Sequence, residues 1–247
     1  MARILIYDSG VGNQPIARSI RQEIPEAELH LLSDSAFFPY GERNDKELIA
    51  RVLTVLDYAM PEIEPDIVVL GCNTLSTIAL SEIRDRYELP IVGVVPAIKP
   101  AAASSKTKVI GLLATPATIH RSYTDDLITK FASDCEVIRI GSTELVNMAE
   151  DKIAGVAVDM NKLSEILQPI HESVQRKSLD QVILGCTHFP LLVDEILTVL
   201  PNIVIQDSSD AIGRQVKRLA AEVPCSSAGP LHRMYSTKND GTLIENG

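Results

Sequence analysis

The chain has 247 residues, 33 acidic against 23 basic side chains, a formal charge of −10, 45% hydrophobic residues and a mean hydropathy of +0.11. That is enough apolar material for one large domain or two small ones, while the acidity argues against a nucleic-acid partner, which needs clustered Lys and Arg. No run approaches the roughly 20 apolar residues of a membrane helix, and "MARILIYDSG" is too short for a signal-peptide core. Four cysteines (Cys72, Cys135, Cys186, Cys225) lack CxxC spacing, so a cytoplasmic protein with reduced thiols is expected.

In chain order, "RILIY" (3–7) predicts a first buried strand, and "DSGVGN" (8–13) follows it. This loop resembles a phosphate-binding glycine loop but lacks both the full GxGxxG and the GK[ST] signature, so Gly10 and Gly12 are read as residues of a tight turn. "PYG" (39–41) reads as a turn on its own. Leu48, Val52, Val55, Leu56 and Ala59 share one helical face. "DIVVLG" (66–71) predicts a strand running into Cys72, Asn73 and Thr74, and "VVPAIKPAAASSKTK" (94–108) reads as a crossover. "KVIGLL" (108–113) and "EVIRI" (136–140) predict strands, and Leu163, Ile166, Leu167, Ile170 and Val174 another helical face. "QVILG" (181–185) then runs into Cys186, Thr187 and His188, followed by a strand at "NIVIQ" (202–206) and a helix carrying Ile212, Val216, Leu219 and Val223. The last 24 residues have little periodicity; only "RMYST" suggests a strand, at an edge.

Strand–helix alternation over this length predicts an α/β fold with parallel-type sheets flanked by helices. Residues 65–76 and 179–190 match at five of twelve positions, among them Gly71 with Gly185 and Cys72 with Cys186. A duplicated half is therefore expected, giving two similar, pseudo-symmetric domains; if they face each other across a cleft, the active site is expected in the cleft between them. The expected division is 1–96 plus 208–247, carrying Asp8 and Cys72, and 97–207, carrying Cys186 and His188.

In open parallel sheets ligands bind beyond the carboxyl ends of the strands, where both cysteines are expected. Each stands where a strand gives way to a helix, a setting that favours the thiolate. A lone Cys after a buried strand is ordinarily a small core hydrophobe, but here it recurs, each time before polar residues. Two thiols flanking one small molecule suit removal of a proton from one face of a stereocentre and delivery of another to the opposite face. A metal site built from Cys72, Cys186, His188 and Asp8 lacks the paired ligand spacing of structural zinc, and none is expected.

"DSGVG" (8–12), "PYG" (39–41), "CNT" (72–74), "GVVPAIKPA" (93–101), "GLLAT" (111–115) and "GCTHFPLL" (185–192), in this order and spacing, resemble bacterial glutamate racemases of the aspartate/glutamate racemase family. The resemblance implies a cofactor-independent enzyme interconverting L- and D-glutamate, supplying D-glutamate for peptidoglycan, with Cys72 and Cys186 as the two bases. It implies that Asp8 and His188 assist proton movement and hold the substrate amine, and that Ser9, Tyr40, Gly41, Asn73, Thr74 and Thr187 bind substrate. Glu150 matches a family acid near the amine less securely. None of the quoted motif positions assigned to the site is Lys or Arg, in keeping with carboxylate binding by backbone N–H groups and without the Lys of a pyridoxal site.

Three positions depart from the family pattern: Asn13 replaces the usual final Gly and is expected to keep its turn in a left-handed conformation, Leu75 replaces a smaller residue that bears on pocket size, and Phe189 replaces a Tyr. The chain begins two residues before its first strand, so the N-terminal extension tied to activation by cell-wall precursors in some members is not expected. The alternatives are another acidic amino-acid racemase, such as one for aspartate, and a non-catalytic protein-binding role such as gyrase inhibition. A homodimer is the assembly common in the family.

Overall fold

A computed structural model describes residues 1–223 and 229–246, which leaves Cys225 outside the described residues. The chain divides into two compact units, Met1–Val94 with Ser209–Gly247, and Val95–Ser208. The first unit begins β1 (Arg3–Asp8), α1 (Asn13–Glu23), β2 (Glu28–Ser33), α2 (Asp45–Ile63), β3 (Ile67–Leu70), α3 (Asn73–Arg86) and β4 (Ile91–Gly93). The second comprises α4 (Ile98–Ser104), β5 (Val109–Ala114), α5 (Pro116–Ile119), α6 (Ser122–Phe131), β6 (Glu136–Gly141), α7 (Glu144–Ile153), α8 (Met160–Lys177), β7 (Gln181–Leu184), α9 (Val193–Val199) and β8 (Val204–Gln206). The chain then returns to the first unit through α10 (Ser209–Ala220), β9 (Leu231–Thr237) and β10 (Leu243–Asn246).

The sheet orders are β10-β9-β2-β1-β3-β4 and β6-β5-β7-β8. All pairings are parallel except β9 with β10. The four-strand order β2-β1-β3-β4 thus recurs as β6-β5-β7-β8, and the doubled Gly-Cys follows the equivalent strand, β3 or β7, in each. β3 and β7 are apolar to their carboxyl ends, and β1 is apolar over Ile4–Tyr7 before the buried Asp8, because these strands are buried on both faces, as parallel strands between helix layers must be.

Helix boundaries follow local chemistry. Asn44 caps α2 by accepting from Lys46 N at 2.9 Å, and Leu48, Val52, Val55, Leu56, Ala59 and Ile63 face the core. Asp159 caps α8 through Asn161 N and Lys162 N, and Leu163, Leu167 and Ile170 are fully buried. The stretch read as a crossover contains α4, whose Ile98, Ala101 and Ala102 enter the second unit's core. α10 ends at Ala220, before Val223.

Several expectations are corrected. "RMYST" lies within β9, an interior strand between β2 and β10; β10 is the edge. Asn13 is not left-handed: it opens α1 and donates from Nδ2 to Ser33 Oγ at 3.0 Å. Gly12 has φ −62°, open to any residue, so the turn does not require glycine there. β2 escapes the sequence reading because Glu28 and His30 look solvent-facing. Both are buried, His30 Nε2 lying 2.7 Å from Glu28 Oε1 and Nδ1 3.1 Å from Tyr235 Oη, with Arg3 Nε 3.0 Å from the same Glu28 oxygen.

Candidate active site

In the first unit, β1 and β3 pair with Tyr7 opposite Leu70, and Gly71 N donates to Tyr7 O at 2.6 Å. A side chain at Gly71 would meet Ile16 Cδ1, Asp8 Oδ2 and Tyr7 O at 3.3–3.4 Å, so the close approach of the two strand ends places Asp8 beside the residue before Cys72. Asp8 is fully buried; its Oδ1 accepts from Gly10 N at 3.0 Å and Ser9 Oγ at 3.2 Å, which orients the carboxylate. Ser33 Oγ donates to Gly10 O at 2.9 Å and ties the 8–13 turn to the end of β2.

Cys72, 8% exposed, is the N-cap residue of α3. Its sulfur therefore stands at the positive end of a 14-residue helix. Asn73, Thr74, Leu75 and Ser76 in the first turn are all buried, and Asn73 Oδ1 has no hydrogen-bond partner. A buried amide oxygen without a donor costs on the order of 1–3 kcal/mol, and a bound ammonium or hydroxyl would relieve that cost. Leu75 belongs to the core around Tyr7 and Tyr40.

Tyr40 opens a 3-10 turn, Tyr40–Glu42, and is buried, while Gly41 is half-buried. The Tyr40 hydroxyl donates to Asp34 Oδ2 at 2.7 Å and lies 2.5 Å from Tyr7 Oη, which leaves the Tyr7 proton for Tyr40. Burial pushes both phenols well above their usual range. The Tyr40 hydroxyl is thus committed to the core, while the first N–H groups of such a turn have no acceptor within it. Asp8 is the carboxyl-terminal residue of β1, and Ser9, Tyr40, Gly41, Cys72, Asn73 and Thr74 follow the carboxyl ends of the adjacent strands β1, β2 and β3.

In the second unit Gly185 N donates to Leu113 O at 2.6 Å, the same bond as at Gly71, and a Cβ there would meet Ala114 Cβ, Leu112 Cδ1 and Leu113 O at 3.1 Å. Cys186 is 8%, Thr187 7% and His188 2% exposed. Here the strand does not lead straight into an α-helix. A turn and the 3-10 segment Phe189–Leu192 intervene before α9, so the helix-terminus argument applies to Cys72 and not to Cys186. A different device stands at Cys186: His188 Nδ1 lies 3.9 Å from Sγ, and its Nε2 lies 2.7 Å from Glu150 Oε1 on α7. Lys152 Nζ, donating to Leu191 O at 2.8 Å and pairing with Glu195, holds α7 against the 3-10 segment. The register places Ala114 where the first unit has Asp8. Phe189, fully buried, fills core space.

Cys135 precedes β6, and its thiol is pushed up by burial and then by Asp134. Among the described residues no group of three or more His, Cys, Asp or Glu side chains is placed to hold a metal ion, and no helix is long and apolar enough to cross a membrane. Sequence reasoning missed Asp34 and Arg51, which form a buried ion pair at 2.6 Å. The available signal was Arg51 itself, on the apolar face of α2 between Leu48 and Val55.

Gly-Cys thus follows the equivalent strand of each unit, and residues 14–219 match the family model described as Asp/Glu/Hydantoin racemase, a class of isomerases. The chain belongs to that family. It is 46% identical over 237 residues to glutamate racemase from Shewanella loihica, covering 96% of this chain and 88% of that one, and 44% identical over 236 residues to glutamate racemase from Vibrio cholerae, covering 95% and 87%. The crystal structure of Escherichia coli glutamate racemase in complex with L-glutamate and the activator UDP-MurNAc-Ala superposes with a TM-score of 0.89 at 37% identity, over 96% of this chain and 89% of that one.

Proposed function

We propose that the chain is a cofactor-independent glutamate racemase that interconverts L- and D-glutamate by proton transfer at Cα between Cys72 and Cys186. The observation that carries this is the recurrence of Gly-Cys after equivalent strands, with Asp8 beside Gly71 in the first unit and His188 Nδ1 3.9 Å from Cys186 Sγ in the second. The thiolate of one cysteine takes the Cα proton, the C–H electron pair passes into the adjacent carboxylate, and the thiol of the other cysteine returns a proton to the opposite face. After one turnover the two sulfurs have exchanged protonation states, so the reverse reaction uses the same residues with roles reversed. This chemistry requires both thiols to reach one bound substrate.

The neighbours differ because the duplication has diverged. Asp8 serves Cys72, in a site that also has the N-terminus of α3. At Cys186 the work falls to His188: with Glu150 accepting from Nε2–H, a neutral imidazole turns its unprotonated Nδ1 toward the sulfur. Ser9, Asn73, Thr74, Thr187 and the Tyr40–Gly41 backbone bind the substrate, with Asn73 Oδ1 as one acceptor for its ammonium. A thiol acting on an unactivated amino acid faces a Cα–H far weaker in acidity than itself, so the carboxylate must be neutralised by these donors as charge develops.

The relatives named above are glutamate racemases, which favours glutamate over aspartate. A cytoplasmic location, a homodimer and a role in supplying D-glutamate to peptidoglycan belong to the same proposal. Circular dichroism of L-glutamate and of L-aspartate, each incubated with purified protein and no added cofactor, tests it. Decay of the glutamate signal alone is expected, unchanged after dialysis against chelator or treatment with a carbonyl reagent. Decay of aspartate alone, of neither, or dependence on an added cofactor would contradict it.

A further inference from the structure

Asp34 follows β2 and is fully buried. Its carboxylate accepts from Tyr40 Oη at 2.7 Å, from Arg51 Nε at 3.0 Å and Nη2 at 2.6 Å, and from Thr237 Oγ1 at 2.5 Å. Thr237 is the last residue of β9, and its Oγ1 also accepts from Ala36 N at 3.4 Å, in the segment leading to Tyr40. Arg51 continues past Asp34 into the β9–β10 turn, donating from Nη1 to Asn239 O at 2.6 Å and from Nη2 to Lys238 O at 2.8 Å. That turn rests on α2. Gly241, at φ +92°, brings the backbone so near that a Cβ would stand 3.1 Å from Thr54 Cγ2 and 3.6 Å from Arg51 Nη1.

A buried ion pair contributes little net stability over apolar packing of the same volume. What it supplies is geometry, because every oxygen and N–H must be met at once. Here the met groups join the C-terminal hairpin to the hydroxyl of Tyr40, whose rigid ring connects it to the backbone that opens the Tyr40–Glu42 turn. We propose that Thr237 and Arg51 are positioning residues: through Asp34 they set the place of the Tyr40–Gly41 segment, and with it the donors that meet a substrate carboxylate. The inference rests on the glutamate racemase reading and deepens it by making the hairpin part of the binding apparatus.

The test is steady-state kinetics of the full chain with Thr237→Val, Thr237→Ser and Arg51→Lys, alongside urea unfolding of each. Thr237→Val keeps the shape and removes the hydroxyl; Arg51→Lys keeps the charge and loses the fork. Both should raise KM for glutamate by about 10-fold, the effect of one lost charge-assisted hydrogen bond, with a smaller fall in kcat. Thr237→Ser should recover most of the KM. A hairpin that only stabilises would lower the unfolding midpoint and the active fraction with KM unchanged in Thr237→Val, and that result overturns the proposal even if Arg51→Lys fails to fold. An unmodified chain that does not racemise glutamate removes the functional reading itself, a distinguishable failure.

Discussion

Glu150 Oε1 lies 2.7 Å from His188 Nε2, on the side of the ring away from Cys186. A carboxylate there can only accept, which selects the tautomer whose Nδ1 carries no proton and faces the sulfur. Glu150→Gln presents an NH2 that can donate and so admits the opposite tautomer. kcat should fall by about 10-fold or more, part of the 10²–10⁴-fold that a positioned acid–base group supplies, with less change in KM. Unchanged turnover would reduce Glu150 to a surface partner of the histidine.

Asp8→Asn separates charge from shape. The amide oxygen can still accept from Gly10 N and Ser9 Oγ, so the turn and the fold should survive. If the carboxylate assists proton movement at Cys72, kcat falls on the order of 10²-fold and KM far less. Equal losses in both, or none, would make Asp8 a turn residue.

The buried phenols of Tyr7 and Tyr40 make stability fall in alkali. Their folded pKa values are raised well above 10 by desolvation, so their contribution is complete below about pH 10, where the unfolded chain also keeps its protons. Above that pH the unfolded chain releases protons that the folded chain retains, and stability declines by up to about 1.4 kcal/mol per pH unit for each such group. Urea unfolding from about pH 9.5 to 11.5 should show a shallower decline for Tyr7→Phe than for the parent. Parallel declines would contradict the retained proton.

The two strand-end glycines are not equally tolerant. At Gly185 a methyl group meets three atoms at 3.1 Å, one of them the Leu113 carbonyl oxygen, whereas at Gly71 the distances are 3.3–3.4 Å and include the flexible tip of Ile16. Gly185→Ala should therefore cost about 1–3 kcal/mol and Gly71→Ala less, measured as unfolding free energies. The reverse order would show that the second unit relaxes more easily at its strand end.

Much of this fold is legible in the sequence because its central strands are buried on both faces. Apolar runs ending in Gly-Cys mark β3 and β7 without ambiguity, and their shared residues point to the repeated strand order. β2 is hidden because its burial depends on partners distant in sequence: Glu28 needs Arg3, and His30 needs Tyr235. The same holds for Asp34, whose partners Arg51 and Thr237 come from α2 and from β9. Short motifs locate Tyr40 yet say nothing of where its hydroxyl points. Only the contact with Tyr7 and Asp34 shows it turned inward. Nor does sequence equivalence of the cysteines carry over to their surroundings, since Cys72 caps α3 whereas Cys186 precedes a 3-10 segment.

The most direct measurement of the two-thiol account is hydrogen chloride elimination from the stereoisomers of β-chloroglutamate by Cys72→Ala and Cys186→Ala. Elimination needs a base to remove the Cα proton and expels chloride from Cβ, with no proton returned to the opposite face, so one remaining thiol suffices. Racemisation should be abolished in both variants and in both directions, because each direction needs one thiol as base and the other as acid. The two variants should then eliminate from opposite Cα configurations. Identical preferences, or full racemisation by either variant, would contradict the account and leave the repeated cysteine as inherited architecture.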